Sequence, residues 1–438
     1  MYQEPTNRSR DSRRNFLKQG AWATATVGAS VASLARALPV HAAGDDTLRV
    51  GLVGCGGRGT GAATQALRAD SGARLTAMAD LFPDRLDMSL AAIQKESDIA
   101  AKIDVPAERR FSGIDAFQRL LDSHVDVVLL ATPPHFRPAH LEAAVEAGVH
   151  IFAEKPVAVD APGVRRALAA CIKAAEKDVS VVSGLCLRYH LGFREIVRRI
   201  QTGQIGQITT LYANDYRGTL WLKARQPDWT DMHNQMRNWY YYTWLCGDFN
   251  VEQHVHFLDV CAWIMGDRYP AKAVGLGGRQ QRTQPEYGNI YDHHSVVYEY
   301  ADGARLVSNC RQMKGCQNDM SVQVAGTRGT ASIREKRGGI TIQSDEGKWA
   351  YDGLDNDIYQ TEHDELFAAI RARKPINNGS YMAHSTLLAI LGRMATYTGD
   401  EITWEQALNS QEDLTPPSYA WGPAPEVKIA IPGETKFA

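Results

Sequence analysis

The sequence predicts an α/β protein in which an N-terminal doubly wound parallel sheet precedes a C-terminal α/β domain with a large, open, mainly antiparallel sheet. Between residues 46 and 184, apolar strand-like runs alternate with helix-like stretches, as a parallel sheet with crossover helices requires. After residue 271, short runs of alternating apolar and polar residues suit antiparallel strands. At 438 residues the chain exceeds one ordinary domain, so we expect two.

The first predicted strand ends in a glycine-rich turn. Residues 48–59 read LRVGLVGCGGRG, which puts Gly54, Gly56 and Gly59 in the G-x-G-x-x-G spacing. The first glycine permits a sharp turn, the second lets the backbone approach a pyrophosphate, and the third lets the next helix pack closely. That helix, predicted over 60–69, would point its N-terminal amides at the phosphates. The spacing and its context therefore predict a dinucleotide site.

A second strand-like run ends at Asp80, about 20 residues after the last glycine. An acid at this place accepts hydrogen bonds from the adenosine ribose and repels the 2′-phosphate of NADP. Leu81 and Phe82 add no positive charge, although Arg85 lies one helical turn away. We therefore predict NAD as the cofactor, in preference to NADP.

The composition argues against several classes of partner. Hydrophobic content of 44%, charged content of 22% and a formal net charge of −2 are ordinary for a soluble protein and give no reason to expect nucleic acid. Seven cysteines without C-x-x-C spacing indicate neither a zinc site nor a disulfide framework. No run of about 18 uncharged apolar residues follows the N-terminal segment, so we expect no membrane span.

The first 43 residues are predicted to be an export signal. Residues 12–18 read SRRNFLK, which matches the twin-arginine pattern, and residues 39–43 offer a small-residue cleavage site. The alternative is an ordinary basic helix. Because twin-arginine export carries folded proteins, often with a cofactor inside, we predict a periplasmic protein.

Polar turns follow the strands of the predicted parallel sheet at its carboxyl edge, where open α/β sheets bind ligands. The candidate strands are 48–53, 74–79, 125–131, 150–153 and 179–183, and the candidate helices are 86–95, 114–122, 139–147 and 163–177. Later segments predict a helix at 194–202, strands at 207–216, 271–277, 295–300, 305–311, 320–325, 330–334 and 339–343, and closing helices at 361–372 and 385–398. The chain thus divides into a signal (1–43), a nucleotide-binding domain (44–187), a substrate domain (188–404) and an extended tail (405–438).

Four motifs together resemble the Gfo/Idh/MocA family. They are the glycine fingerprint, A-T-P at 131–133, A-G-V-H at 147–150 and E-K-P at 154–156, and the resemblance extends from residue 46 to about 404. It implies a Rossmann NAD-binding domain in an NAD(P)-dependent oxidoreductase that acts mainly on sugars, polyols and their derivatives. It also implies an open C-terminal sheet whose outer face makes contacts in a homo-oligomer.

Alcohol oxidation needs a group that handles the hydroxyl proton, and Lys155 is the first candidate. A partly desolvated lysine beside the positive ring of a nicotinamide can hydrogen-bond the reacting oxygen. The alternative is a surface lysine that precedes a proline turn. The E-K-P motif favours the catalytic role.

Glu252 and His256 are the second candidates, because residues four apart on a helix share one face. They resemble the family's D-x-x-x-H element, with His256 at the catalytic histidine position and Glu252 where many relatives carry Asp. Glu252 is either a base or only orients His256, and a core role for His256 is the alternative. Asp259 is three residues further on, while His254 faces elsewhere and leaves open an H-x-H metal site that lacks an obvious third ligand.

The remaining candidates would contact cofactor or substrate. The predicted substrate contacts are Arg188, Tyr189, Trp239, Tyr240, His254 and Asp259. The aromatic residues can stack on sugar rings or simply fill a domain or subunit contact. The predicted cofactor contacts are Gly54, Gly56, Gly57, Arg58, Gly59, Asp80, Thr132, Pro133, His135, Glu154 and Lys155. Pro134 and Arg137 stand where many relatives have other residues.

These features predict an exported enzyme that transfers hydride between tightly bound NAD and a hydroxyl of a sugar, polyol or glycoside. The periplasm has no NAD pool, so the cofactor should be retained and turned over within the site. The alternative is an NAD-dependent glycoside hydrolase that works by transient C3 oxidation and elimination. A non-catalytic sugar-binding protein, in which Lys155 and His256 are idle, is the third class.

Overall fold

A doubly wound parallel sheet forms the first half of the fold. The computed structural model describes residues 46–334 and 338–438. Within these ranges the sheet contains β1 (Leu48–Val53), β2 (Ala73–Asp80), β3 (Arg110–Ser112), β4 (Val127–Leu130), β5 (His150–Ala153) and β6 (Val181–Ser183). The strand order is β3-β2-β1-β4-β5-β6, so the order reverses between β1 and β4. The predicted sheet is confirmed, and only the short exposed strand β3 was not predicted.

Helices cover both faces of this sheet. They are α1 (Gly57–Ala69), α2 (Pro83–Ile93), α3 (Ala116–Asp122), α4 (Arg137–Glu146) and α5 (Ala161–Glu176). Helix α5 begins where it does because the Asp160 side chain accepts a hydrogen bond from the Gly163 amide at 2.8 Å. Strand β4 is buried along its whole length, which explains its unbroken apolar sequence VVLL.

The second sheet is mixed and mostly antiparallel, as predicted. Among the described residues it has nine strands: β7 (Ile208–Arg217), β8 (Lys272–Gly278), β9 (His293–Glu299), β10 (Arg305–Gln312), β11 (Asp319–Gly326), β12 (Gly329–Arg334), β13 (Thr341–Ser344), β14 (Gly347–Ala350) and β15 (Ile402–Thr403). Their order is β14-β13-β12-β11-β7-β10-β9-β8-β15, and only β7 and β10 pair in parallel. Buried and half-exposed residues alternate along β9 and β10, so one face is packed.

Helices pack on that buried face and connect the two halves. The elements are α6 (Leu191–Gln201), α7 (Asp231–Arg237), α8 (Thr243–Cys246), α9 (Phe249–Glu252), α10 (Val255–Ile264), α11 (Ile358–Ala372), α12 (Gly379–Thr398) and α13 (Trp404–Asn409). On the opposite face Tyr212, Val274 and Leu276 are 45%, 46% and 66% exposed. The predicted oligomer contact through this face stays a prediction.

Helix α11 returns from the second half of the chain to the first. Its Gln360 side chain donates to the Gln65 carbonyl of α1 at 3.0 Å, and Arg371 pairs with Asp70 at 2.7 Å. The chain from Thr47 to Ala438 accordingly forms one compact unit. The predicted domain limits describe the two sheets but not this return.

Two of the predictions concern the ends of the chain, namely the export signal and the extended tail. The predicted export signal lies outside the described residues. From residue 46 onward, no helix in the described part of the chain is both long and apolar enough to cross a membrane. The predicted tail starts with the short helix α13, and only from Ser410 is it free of helix and strand.

Candidate active site

A cavity of about 580 Å³ opens at the carboxyl edge of the parallel sheet, at the ends of β1, β2 and β4. Its lining includes these predicted cofactor residues: Gly54, Gly56, Gly57, Arg58, Gly59, Asp80, Thr132 and Pro133. His135, Glu154 and Lys155, which were also predicted, do not line it. The cavity therefore corresponds to the part of the crevice that the glycine loop and Asp80 define.

The glycines of the loop differ in the space that surrounds them. A Cβ at Gly59 would lie 1.9 Å from the Gly54 carbonyl oxygen, so α1 approaches the turn as closely as the fingerprint predicts. A Cβ at Gly56 would meet nothing within 4 Å, and no side chain caps the N-terminus of α1. Open space in front of uncapped amides is what a pyrophosphate needs. The loop fits a dinucleotide on these grounds.

Asp80 ends β2 with its carboxylate fixed by the backbone. Its Oδ2 accepts from the Cys55 amide at 2.6 Å, and its Oδ1 accepts from the Phe82 amide at 2.9 Å. Burial raises the pKa of Asp80 above its usual value. Asp80 also lines the cavity, so the remaining lone pairs of this fixed acceptor are available to the ribose hydroxyls predicted there.

Lys155 follows β5 and reaches across to the second half of the chain. Its Nζ donates to the Glu252 carbonyl oxygen at 2.6 Å and to Glu252 Oε1 at 3.2 Å. The two side chains are 11% and 10% exposed. A charge-assisted hydrogen bond in such a sheltered position holds the ammonium in one place.

Arg137, which sequence reasoning left without a role, fixes the turn that carries Lys155. Its guanidinium donates to the Thr132 carbonyl at 2.6 Å and to the Pro156 carbonyl, and so joins the turns after β4 and β5. Burial lowers the pKa of Arg137 to about 10. Beside it, Glu154 pairs with Arg58 of the glycine loop at 3.0 Å.

His256 lies within electrostatic range of Lys155 and remains neutral. Burial, and then the positive charges of Lys155 and Arg217, lower the pKa of His256 well below its usual value. Only the unprotonated form of a histidine can accept a hydroxyl proton, and the lowered pKa of His256 means that it would hold such a proton only transiently. Within the described part of the chain its Nδ1 has no hydrogen-bond partner.

The expectation that Glu252 and His256 share one helix face is wrong. Helix α9 ends at Glu252 and α10 begins at Val255, so the turn between them breaks the four-residue spacing. Among the described residues, the hydrogen bonds of the Glu252 side chain go to Lys155 and none goes to His256. Glu252 therefore orients Lys155 in this structure.

Asp259 and Arg188 belong to a buried ion pair. Arg188 donates to Asp259 at 2.9 Å and pairs with Asp267 at 2.6 Å, and Ser385 Oγ also donates to Asp259 at 2.8 Å. Tyr189 is buried and donates to Asn378 Oδ1 at 3.0 Å. These predicted substrate residues do not line the cavity, and their contacts join the segment before α6 to α10 and α12.

His254 is enclosed in the core. Its Nε2 lies 2.7 Å from Ser308 Oγ, and its Nδ1 is 3.9 Å from Asp215. Burial lowers the pKa of His254 to about 3, so it is neutral. No group of three potential metal ligands occurs in the described residues, and the H-x-H alternative gains no support.

The predicted aromatic residues and His135 lie in different surroundings. Trp239 lines the cavity on the side of Asp80, whereas Tyr240 is buried and accepts from Gln312 Nε2 at 2.8 Å. His135 lies 2.8 Å from the hydroxyl of Tyr419 in the C-terminal tail. Burial lowers the pKa of His135 to about 4.

Sequence reasoning missed an ion pair next to the histidines, formed by Asp215 and Arg217 at the end of β7. Asp215 is 1% exposed and shares the buried face of the strand with Leu211 and Ala213. A carboxylate in register with apolar core positions was the signal that could have found this pair.

Taken with the fold, this geometry defines an oxidoreductase that binds a nicotinamide dinucleotide. Residues 48–183 match the model of an oxidoreductase family's NAD-binding Rossmann fold, and residues 197–411 match that family's C-terminal alpha/beta domain. The chain belongs to the Gfo/Idh/MocA family, and NAD is its cofactor.

Relatives and solved structures agree with this assignment. The chain is 26% identical to the inositol 2-dehydrogenase of Cereibacter sphaeroides over 293 residues, which is 66% of this chain and 74% of that protein. It is 26% identical to the inositol 2-dehydrogenase of Burkholderia cenocepacia over 289 residues, with the same shares.

Among solved structures, aldose-aldose oxidoreductase from Caulobacter crescentus, complexed with glycerol, has a TM-score of 0.63 at 19% identity. Levoglucosan dehydrogenase, in complex with NADH and levoglucosan, has a TM-score of 0.63 at 16% identity. Each match covers 82% of this chain and 99% of the other. At these identities the similarity shows the fold.

Proposed function

We propose that the protein oxidises a secondary hydroxyl of a sugar, polyol or glycoside, and reduces the corresponding carbonyl in the reverse direction. The observation that carries the proposal is the Lys155 ammonium, which Glu252 holds in a sheltered position. The charge of this ammonium contributes to keeping His256 neutral. Inositol and sugar dehydrogenases among the relatives support this class of substrate.

The residues divide the proton chemistry between them. Lys155 donates a hydrogen bond to the reacting oxygen, and this interaction strengthens as that oxygen becomes more negative. His256 accepts the hydroxyl proton during oxidation and returns it during reduction. Glu252 keeps Lys155 in position. When bound, NAD supplies the hydride acceptor and, once reduced, the hydride donor.

The predicted export signal supports a finer proposal, which is that the protein works in the periplasm with a retained cofactor. A compartment without an NAD pool favours an enzyme that oxidises one substrate and reduces another without releasing NAD. The exposed face around Tyr212, Val274 and Leu276 supports a homo-oligomer formed through the second sheet. A molecular mass in solution equal to that of one subunit would count against the oligomer.

The experiment follows the nicotinamide absorbance of the purified protein during a screen of sugars, polyols and nitrophenyl glycosides. We expect a change in absorbance with a free sugar or polyol and its reversal by a second carbonyl compound. Release of nitrophenol without net reduction of the nicotinamide would instead establish the glycoside hydrolase. No response to any compound by a folded, NAD-loaded protein would refute both.

A further inference from the structure

The far wall of the dinucleotide cavity comes from the second half of the chain. Trp221, Lys223, Arg237 and Trp239 line the same cavity as Asp80. Asp80 marks the adenosine end, because an acid after the second strand accepts the ribose hydroxyls. These four side chains therefore flank the adenosine half of the cofactor rather than the Lys155 end.

A bidentate ion pair ties this wall to the nucleotide-binding half. Arg237 of α7 donates to both carboxylate oxygens of Asp84 in α2, at 2.7 and 2.8 Å. Its guanidinium also lies 3.6 Å from the centre of the Phe82 ring. Arg237 is 13% exposed, and its hydrogen bond lowers the pKa of Asp84. A guanidinium that pairs with a carboxylate and also stacks on an aromatic ring is held in one defined geometry.

The loop that carries Trp221 is pinned to the same wall. The Asn238 side chain accepts from the Lys223 amide at 2.9 Å and donates to the Lys223 carbonyl at 3.0 Å. Burial, and then the charges of Arg85 and Arg237, lower the pKa of Lys223. Three cations thus lie near one another at this wall, and one of them, Arg237, is paired with Asp84.

The C-terminal tail contacts residues on two sides of the crevice. The Tyr419 hydroxyl lies 2.8 Å from His135 Nε2, just after the turn that follows β4. The Trp421 ring lies 5.8 Å from Phe82 and 5.3 Å from His233. The tail therefore contacts both sides of the crevice, at the turn after β4 and at the turn after β2.

We propose that residues 221–239 and 419–421 form an adenosine clasp that completes the cofactor site and retains the dinucleotide through turnover. The adenosine half leaves only after the Arg237–Asp84 pair and the Tyr419–His135 hydrogen bond open. This inference rests on the proposed function for the retention of NAD through turnover, and it identifies the residues that make the cofactor a resident group.

The test measures the exchange of bound NAD for labelled NAD. Protein purified with its cofactor is mixed with a large excess of isotopically labelled NAD, separated from it at intervals, denatured and analysed by mass spectrometry. The variants are Asp84→Asn, Arg237→Met, their combination, and Tyr419→Phe. Arg268→Met is the control, because Arg268 also pairs with an aspartate, Asp302, at 2.8 Å, and neither residue lines the cavity.

Asp84→Asn is the decisive variant because Asp84 does not line the cavity. We expect Asp84→Asn and Arg237→Met each to speed exchange by about tenfold, and the double variant to match the faster single one. Tyr419→Phe removes only one hydroxyl and should speed exchange severalfold. Because it changes no charge, it keeps the test decisive if a charge variant folds poorly. Arg268→Met should exchange at the wild-type rate.

Two results would overturn the clasp. The first is wild-type exchange by Asp84→Asn and Tyr419→Phe, even if Arg237→Met is faster, since Arg237 would then be only a direct contact. The second is wild-type protein whose bound NAD exchanges completely within the first interval, since such a cofactor is not retained. Exchange needs no turnover, so a protein inactive on every sugar would refute the proposed function and leave the exchange result valid.

Discussion

Replacing Glu252 by Gln tests how the proposed catalytic lysine is held. The variant keeps the backbone carbonyl bond to Lys155 at 2.6 Å and removes the charge of the carboxylate at 3.2 Å. At that distance the Coulomb energy is about 5 kcal/mol for an effective dielectric constant of about 20. After desolvation, a hydrogen bond between charged groups contributes about 1.5–3 kcal/mol. We therefore expect kcat to fall by roughly 10- to 100-fold.

The assay is a double-mutant cycle with Lys155→Met, read as kcat on the best substrate from the screen. Because Glu252 acts through Lys155, the double variant should be no slower than Lys155→Met alone. The affinity for NAD should stay unchanged in Glu252→Gln, since Glu252 does not line the dinucleotide cavity. A further loss of at least tenfold in the double variant would refute this reasoning and make Glu252 an independent base.

Three further predictions follow from the cofactor site and the core. Asp80→Ser should weaken the binding of NAD by about tenfold and that of NADP by less, because Arg85 then meets the 2′-phosphate of NADP without an opposing carboxylate. Fluorescence titrations with the two dinucleotides measure both affinities, and equal losses would contradict this prediction. Arg137→Met should lower the free energy of unfolding by about 2–4 kcal/mol, because it leaves buried carbonyls unpaired, and an unchanged midpoint in chemical denaturation would contradict it. Burial lowers the pKa of His140, in α4, and that of His254 to about 3, so as the pH falls these histidines bind protons in the unfolded state before they do so in the folded state. Stability should fall as the pH drops from about 6.5 towards 3, by roughly 1.4 kcal/mol per histidine one unit below 6.5, and a denaturation midpoint constant between pH 7 and 5 would argue against this.

The parts of the molecule that follow from local sequence were predictable. Strand β4 is buried on both faces and therefore appears as an unbroken apolar run, and the glycine turn is set by steric limits within a few residues. The alternation of buried and half-exposed residues along β9 and β10 likewise indicates which face of the sheet is packed. These signals sufficed for five of the six strands of the first sheet, for seven of the nine strands described in the second, and for eight residues that line the dinucleotide cavity.

What the sequence did not reveal depends on contacts between distant segments. The break between α9 and α10 depends on tertiary packing and sends the Glu252 carboxylate to Lys155 rather than to His256. Tyr419 meets His135 across 284 residues, and no local pattern records such a pairing. Trp239 was expected at the substrate, yet it lines the cofactor cavity because α7 packs against the turn after β2.

The most direct test of the account is the bound nicotinamide of single-residue variants under single-turnover conditions. NAD-loaded wild type, Lys155→Met and Lys95→Met are mixed with the responsive sugar or polyol, and nicotinamide absorbance is followed. Lys95 is exposed at the end of α2 and serves as the matched control. We predict rapid reduction in wild type and Lys95→Met and a loss of at least about 1,000-fold in Lys155→Met, with NAD still bound. Equal rates in all three proteins would contradict the assignment of Lys155 to the reacting oxygen.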